Sequence, residues 1–349
     1  MRYGLAIMAV LLAATLACCP RRTAPPAHVY LGVSVHQGET TTDMLHDLAR
    51  YQRDAHKRAA LVMYWRDWAR SGRVDPAAMN AIYQQGSVPV ITWGPGNWTA
   101  STHIKHTRYS LRSVLAGTWD SYIRSFAAAL RAYHRPVLLR FAPEMNGPWY
   151  TWGAQPRRYV RVWRHVHALF VAAGATNVQW VWCPNVDWDG HHPVAPYYPG
   201  AAYVDWLGMD GYNKAQYGWH TFTQIFQATY HELLALHGTA PIMIGELAAS
   251  EATSAQVRRG LSKAGWITSA YGREMASFPR IKAVTWFNED KSAQEKCLCD
   301  WRIESSTAAT RAFAHAVTPP IYRATWPGIA VYPSRRPGGN SPRPIDRTR

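Results

Sequence analysis

The chain has 349 residues, 48% of them hydrophobic and 17% charged, a balance that excludes wholesale disorder and allows a sizeable core. Its 38 Lys and Arg against 22 Asp and Glu give a formal charge of +16. The basic residues are mostly arginines scattered along the chain with no nucleic-acid-binding motif, so no nucleic acid is expected as a partner. There are 17 Trp and 19 Tyr but only 8 Phe. Trp and Tyr combine an apolar face with a polar edge, which suits a surface that must bind while wet.

In chain order, residues 1–27 read as a signal peptide and spacer. Met1-Arg2 precedes an apolar run from Leu5 to Ala17, which stops at Cys18-Cys19-Pro20. The run is too short to span a bilayer comfortably. Leu16-Ala17-Cys18 loosely resembles a bacterial lipoprotein cleavage box, with Thr15 where Leu is usual; taking Cys19 as the lipidated residue instead puts Cys18 just before it. A secreted chain and one attached to the cell envelope by an N-terminal lipid are both consistent with this leader. Residues 28–318 read as one catalytic-sized domain, expected to act as a monomer, and residues 319–349 as a Pro/Arg-rich solvated tail. Beyond the leader lie Cys183, Cys297 and Cys299, enough for one disulfide and one spare thiol, without the C-x2-C spacing of a zinc site.

Within the domain, short apolar runs recur: Val29–Val35, Leu61–Trp65, Val88–Trp93, Val137–Phe141, Val178–Trp182, Val204–Met209, Pro241–Gly245 and Ala283–Phe287. Near-continuous runs of this length suit strands buried on both faces. The intervals carry helical periodicity, as in Trp119, Tyr122, Ile123, Phe126, Leu130 and Tyr133. Strands alternating with helices in this number predict an α/β fold, a single-domain (β/α)8 TIM barrel. An open doubly wound sheet is the alternative, disfavoured because no Gly-rich phosphate turn follows the first strand.

Polar and aromatic residues crowd at the strand ends. They include His36 after the first run, Trp93 at the third, Glu144 and Asn146 after the fourth, Asn185 and Asp187 after the fifth, Asp210 and Tyr212 after the sixth, Glu246 after the seventh and Trp286 at the eighth. In a barrel these ends meet on one face, where active sites of this fold are built. Glu144 and Glu246, on nearly opposite strands, can face each other across the mouth, and paired carboxylates are what cleavage of a glycosidic bond requires. Trp98 and Trp188 fall in loops, where exposure favours a sugar platform; Trp182 and Trp219 are further candidates to line the cleft. The adjacent His191 and His192 lack metal-ligand spacing.

Several of these segments resemble glycoside hydrolase family 26, which includes β-mannanases and some β-glucanases and β-xylanases. The acid/base segment is Arg140-Phe-Ala-Pro-Glu144-Met-Asn-Gly-Pro-Trp149-Tyr-Thr-Trp152-Gly, the sixth strand Val204-Asp-Trp-Leu-Gly-Met-Asp-Gly-Tyr212-Asn, the nucleophile strand Ile242-Met-Ile-Gly-Glu246-Leu, and the eighth Val284-Thr-Trp286-Phe-Asn with Asp300-Trp-Arg-Ile-Glu-Ser-Ser beyond it. The resemblance runs in order from about Val29 to Val317. It implies a retaining hydrolase of β-mannan or a related β-glycan, with Glu144 as acid/base, Glu246 as nucleophile, Tyr212 bonded to the nucleophile, and Trp149 and Trp286 lining the subsite of the distorted sugar. It implies no metal or organic cofactor. His36, Trp93 and Asn146 complete the expected substrate contacts. The family usually places His directly before the acid/base Glu, and here Pro143 stands instead, which removes a side-chain hydrogen bond and an N–H. A carbohydrate-binding barrel weakened by that change is the alternative reading, and the +16 charge raises an anionic glycan as a third.

Overall fold

The computed structural model describes residues 28–35, 41–69, 73–97 and 107–327. Strands β1 (Val29–Ser34), β2 (Leu61–Asp67), β3 (Val88–Gly94), β4 (Val137–Phe141), β5 (Val178–Trp182), β6 (Trp206–Asn213), β7 (Ile242–Ala249) and β8 (Ile281–Phe287) pair in sequence order. β1 also pairs with both β8 and β2, in parallel, which closes the ring. The two-residue β9 (Tyr322–Arg323) adds to the lower half of β1 and buries Tyr322, so the start of the expected tail belongs to the domain, because its aromatic residues cover the bottom of the barrel. Helices α1 (Thr41–Asp54), α2 (Pro76–Gln84), α3 (Leu111–Leu115), α4 (Asp120–Tyr133), α5 (Pro156–Ala173), α6 (Phe222–Leu236), α7 (Ser254–Val257), α8 (Lys263–Ser269), α9 (Ser292–Glu295) and α10 (Thr307–Ala316) lie in the intervals between strands or follow the last. This is the expected (β/α)8 barrel. One interval departs from it: β5 and β6 are joined only by 3-10 turns at Ala195–Tyr197 and Ala201–Tyr203. Pro193, Pro196 and Pro199 remove donors and clash with preceding carbonyls, so no α-helix propagates there.

The helices start and stop where local chemistry dictates. Asp75 caps α2 by accepting from the Ala78 amide, ahead of Pro76 at the first turn. Thr221 and Gln224 form a capping box on α6. Gly174 ends α5 at φ 71°, in the left-handed region where a Cβ is disfavoured.

Because strand side chains alternate, the barrel has two cores. The inner one contains Met63, Val90, Leu138, Val181 and Met243, and is floored by Tyr30 and Trp326, whose rings lie 4.5 Å apart. The outer one packs the reverse strand faces against helices; Ile123, Phe126, Ala127 and Leu130 of α4 belong to it. Towards the C-terminal end of the strands the interior turns polar: Ser34, Thr92, Arg140, Asp210 and Thr285 are fully buried. β6 and β7 run to Asn213 and Ala249, well past the apolar runs that predict them. Both strands carry polar site residues in their last turns of pleat, which hides their ends from a reading based on hydrophobicity. At Asp210 the register between β6 and β7 shifts, and Asp210 comes opposite Glu246.

Candidate active site

The strand ends bring Glu144 and Glu246 together. Carboxylate oxygens of Glu144, Asp210 and Glu246 lie within 4.8 Å of one another, and all three side chains are buried. A buried cation stands among them. Arg140, one pleat below the end of β4, pairs with Asp210 and places Nη1 2.8 Å from Glu246 Oε1, with a further bond to Thr92 Oγ1 at 3.1 Å. Its guanidinium lies 5.6 Å from the Trp65 ring. Burial opposes its charge, but Asp210 and Glu246 outweigh burial and hold Arg140 well above its usual range. Burial raises the Asp210 carboxyl against the pull of Arg140.

The floor under this ion cluster is built from small residues. The buried Cys183 thiol donates to Asp210 Oδ1 at 3.1 Å. A Cβ on Gly245 would meet Asp210 Oδ1 at 2.5 Å and Cys183 Sγ at 2.6 Å, and one on Gly208 would meet the same sulfur at 2.6 Å. Gly245 therefore leaves the room that Asp210 and Arg140 occupy, and Gly208 the room that Cys183 occupies. Cys183 is the spare thiol, and Cys297 and Cys299 form the disulfide.

Glu144 sits on a contorted segment. Ala142 and Glu144 adopt left-handed φ values of 42° and 53° on either side of Pro143. Such residues cost about 1–3 kcal/mol each and persist where their surroundings over-determine them. Here Tyr159 Oη donates to the Ala142 carbonyl at 3.1 Å, Trp152 Nε1 to the Pro143 carbonyl at 2.7 Å, and the Glu144 amide to the Cys183 carbonyl at 2.8 Å. The carboxylate then receives two neutral donors, Asn185 Nδ2 at 2.6 Å and Trp149 Nε1 at 2.8 Å. Burial, then the negative charge of Glu246, raises the Glu144 carboxyl above the usual range, against weaker lowering by Arg140 and these two bonds. A side-chain partner at position 143 is thus not needed to hold Glu144.

Tyr212 Oη donates to Glu246 Oε2. The Tyr212 ring is backed by Trp301 at 5.0 Å and Phe287 at 5.8 Å. On the other wall, Trp149 lies 5.4 Å from Trp188, which is 48% exposed and stacks on His192 at 4.0 Å. These rings form an aromatic rim beside Glu144.

Three expected substrate contacts are corrected. Trp93 is fully buried and stacks on Phe126 at 4.5 Å, behind the sheet. Trp286 is likewise buried, 5.3 Å from Phe313 of α10, its indole bonded to the Trp301 carbonyl. Their strand neighbours Thr92 and Thr285 point into the barrel, so alternation turns both indoles outward. Asn146 has its amide committed to loop backbone: Nδ2 donates to the Asn185 and His192 carbonyls and Oδ1 accepts from the Asn185 amide. Both its Nδ2 protons are spent on loop backbone, so it donates nothing to a sugar and serves to position Asn185. Trp182 is fully buried and Trp219 half-buried against the core. His36 and Trp98 lie outside the described residues.

Asn185, which the sequence places at a strand end without a role, proves to be a partner of Glu144. It stood at the end of the fifth strand, next to the strand bearing Glu144, and that adjacency was the available signal.

Residues 42–258 match the model of glycosyl hydrolase family 26. Endoglucanase H of Acetivibrio thermocellus is 35% identical over 251 residues, 68% of this chain but 25% of that protein. A mannan endo-1,4-β-mannosidase of Bacillus subtilis is 30% identical over 100 residues, 26% of this chain and 27% of its own length. The chain thus spans only about a quarter of these relatives. Among solved structures, GH26A from Muricauda sp. superposes with a TM-score of 0.60 at 18% identity, over 85% of this chain and 91% of that one. That likeness is one of fold.

Proposed function

The chain belongs to glycosyl hydrolase family 26, and from that premise we propose that it hydrolyses a β-linked polysaccharide, a β-mannan or related β-glycan, with retention of configuration. The observation that carries the mechanism is the spacing: oxygens of Glu144 and Glu246 within 4.8 Å. Retaining glycosidases hold their carboxyl groups about 5–5.5 Å apart, whereas inverting ones need about 6.5–9.5 Å to admit a water between them.

The two environments suit two roles. Glu144, buried and raised, starts protonated and gives its proton to the glycosidic oxygen as the leaving bond breaks. Glu246, its charge compensated by Arg140 at 2.8 Å, attacks the anomeric carbon and forms a glycosyl ester. The Glu144 carboxylate then takes a proton from water, which attacks the same carbon and releases Glu246. Tyr212 orients the nucleophile, and Trp149 and Trp188 offer ring faces to the sugar on the acid side. The leader in residues 1–27 supports export as the route to a polysaccharide outside the cell.

The test is hydrolysis of barley β-glucan, konjac glucomannan and an activated aryl β-glycoside, with the first-formed anomer followed by NMR. The expected product is the β-anomer, and Glu246→Ala should lower turnover on the order of 10⁴-fold or more. A protein that binds these glycans without cleaving any of them, or that releases the α-anomer first, refutes the proposal.

A further inference from the structure

Lys214 stands one residue beyond β6, with Nζ 5.6 Å from the centroid of the Tyr212 ring, whose hydroxyl bonds Glu246. Two other cations near this side of the mouth, Lys291 and Arg302, are neutralised. Lys291 Nζ lies 2.8 Å from Glu289 Oε2, and Arg302 pairs with Asp300 at 2.7 Å and Asp290 at 3.2 Å. Among the described residues, no carboxylate pairs with Lys214.

The turn that carries Lys214 is pinned. The Ala215 amide donates to Ser250 Oγ at 2.9 Å, and the Ala215 carbonyl accepts from the buried Gln256 Nε2 at 2.9 Å. The Tyr217 amide closes the turn onto the Lys214 carbonyl at 2.9 Å, and the Tyr217 ring stands 78% exposed beside it. The backbone that carries an exposed aromatic ring and an ammonium without a carboxylate partner is thus fixed, so only the side chains have to be ordered when a ligand engages them.

We propose that Lys214 is a specificity-determining residue that binds a carboxylate substituent on a sugar at the nucleophile side of the cleft. The inference rests on the hydrolase reading and deepens it: the substrate class becomes an acidic β-glycan. A sugar attacked by Glu246 lies over Tyr212, and a carboxylate on it or on the next unit comes within reach of the flexible Lys side chain. Both charges remain in contact with water, so the discrimination is modest, about fivefold at low salt.

The experiment compares wild type, Lys214→Gln and Arg131→Gln for retardation in gels containing barley β-glucan or konjac glucomannan, each neutral and carboxymethylated. Arg131 is an exposed cation at the end of α4, on the opposite face of the barrel, and controls for loss of net charge. The expected result is that Lys214→Gln weakens binding to a carboxymethylated polymer about fivefold, that high salt abolishes the difference, and that Arg131→Gln and the neutral polymers show no such change. Equal retardation of wild type and Lys214→Gln on both acidic polymers, no retardation of wild type by either, or an equal loss in Arg131→Gln overturns the inference. Reducing-sugar release is measured on the same polymers. Lys214-dependent binding without cleavage refutes the hydrolase reading alone, and cleavage of neutral polymer without a Lys214 effect refutes this inference alone.

Discussion

Glu144 and Glu246 are the same residue type a few ångströms apart, yet their surroundings are opposites. Glu144 is held by two neutral donors, Asn185 and Trp149, in a buried pocket on a strained turn. Glu246 lies within β7, where the pairing with both neighbouring strands shifts register, against a guanidinium and a phenol. The two donors favour the charged form only weakly, so burial and the charge of Glu246 outweigh them and the proton stays. A buried cation stabilises the carboxylate directly. The division into acid and nucleophile is therefore a property of the neighbours, and altering the neighbours should blur it.

The largest effect is expected on the charged side. Arg140→Met leaves Asp210 and Glu246 as buried anions without their cation. This should destabilise the fold by about 3–5 kcal/mol, seen in chemical denaturation, and lower kcat by about 10³-fold. A variant that folds with wild-type stability and activity would show that the cluster does not depend on its cation.

On the neutral side the readout is the pH profile. Glu144 acts as the acid in its protonated form, so activity falls as pH rises through its raised pKa. The Asn185 bond favours the charged form and opposes that rise. Asn185→Ala should therefore move the alkaline limb to higher pH while lowering kcat about tenfold, because the carboxyl loses a fixed orientation. A limb that moves to lower pH, or does not move, contradicts the assigned role. Glu144→Gln should remove the limb for an aryl glycoside whose leaving group needs no proton.

A smaller effect is expected at the aromatic support. A Cβ on Gly147 would fall 2.2 Å from Trp149 Cη2, so Gly147→Ala must swing that ring away from Glu144. Overpacking of this kind costs about 1–3 kcal/mol. The Michaelis constant should rise severalfold with a change in tryptophan fluorescence, and unchanged fluorescence would mean that the ring stays.

The smallest effect is expected from the Cys297–Cys299 bridge, which spans two residues. So short a loop constrains the unfolded chain weakly. Mild reduction should change the melting temperature by no more than a few degrees, measured calorimetrically.

Apolar runs alternating with helical periodicity in the sequence determined the barrel, because a parallel sheet buried on both faces needs continuous hydrophobic strands and covering helices. They also put Glu144, Glu246 and Tyr212 at strand ends, whereas Trp149 entered only through the resemblance to the family. Which face each end residue presents was legible in part: Thr92 and Thr285 inside the barrel imply Trp93 and Trp286 outside, and an aromatic composition suggestive of sugar binding obscured that parity. Three things were decided only by the tertiary structure: the convergence of Asp210 and Arg140 beneath the nucleophile, the capture of Asn146 by loop carbonyls, and the pairing of Asn185 with Glu144. Each depends on distances across the barrel between segments far apart in sequence. Such distances are set by strand register and closure, which no local pattern of side chains encodes.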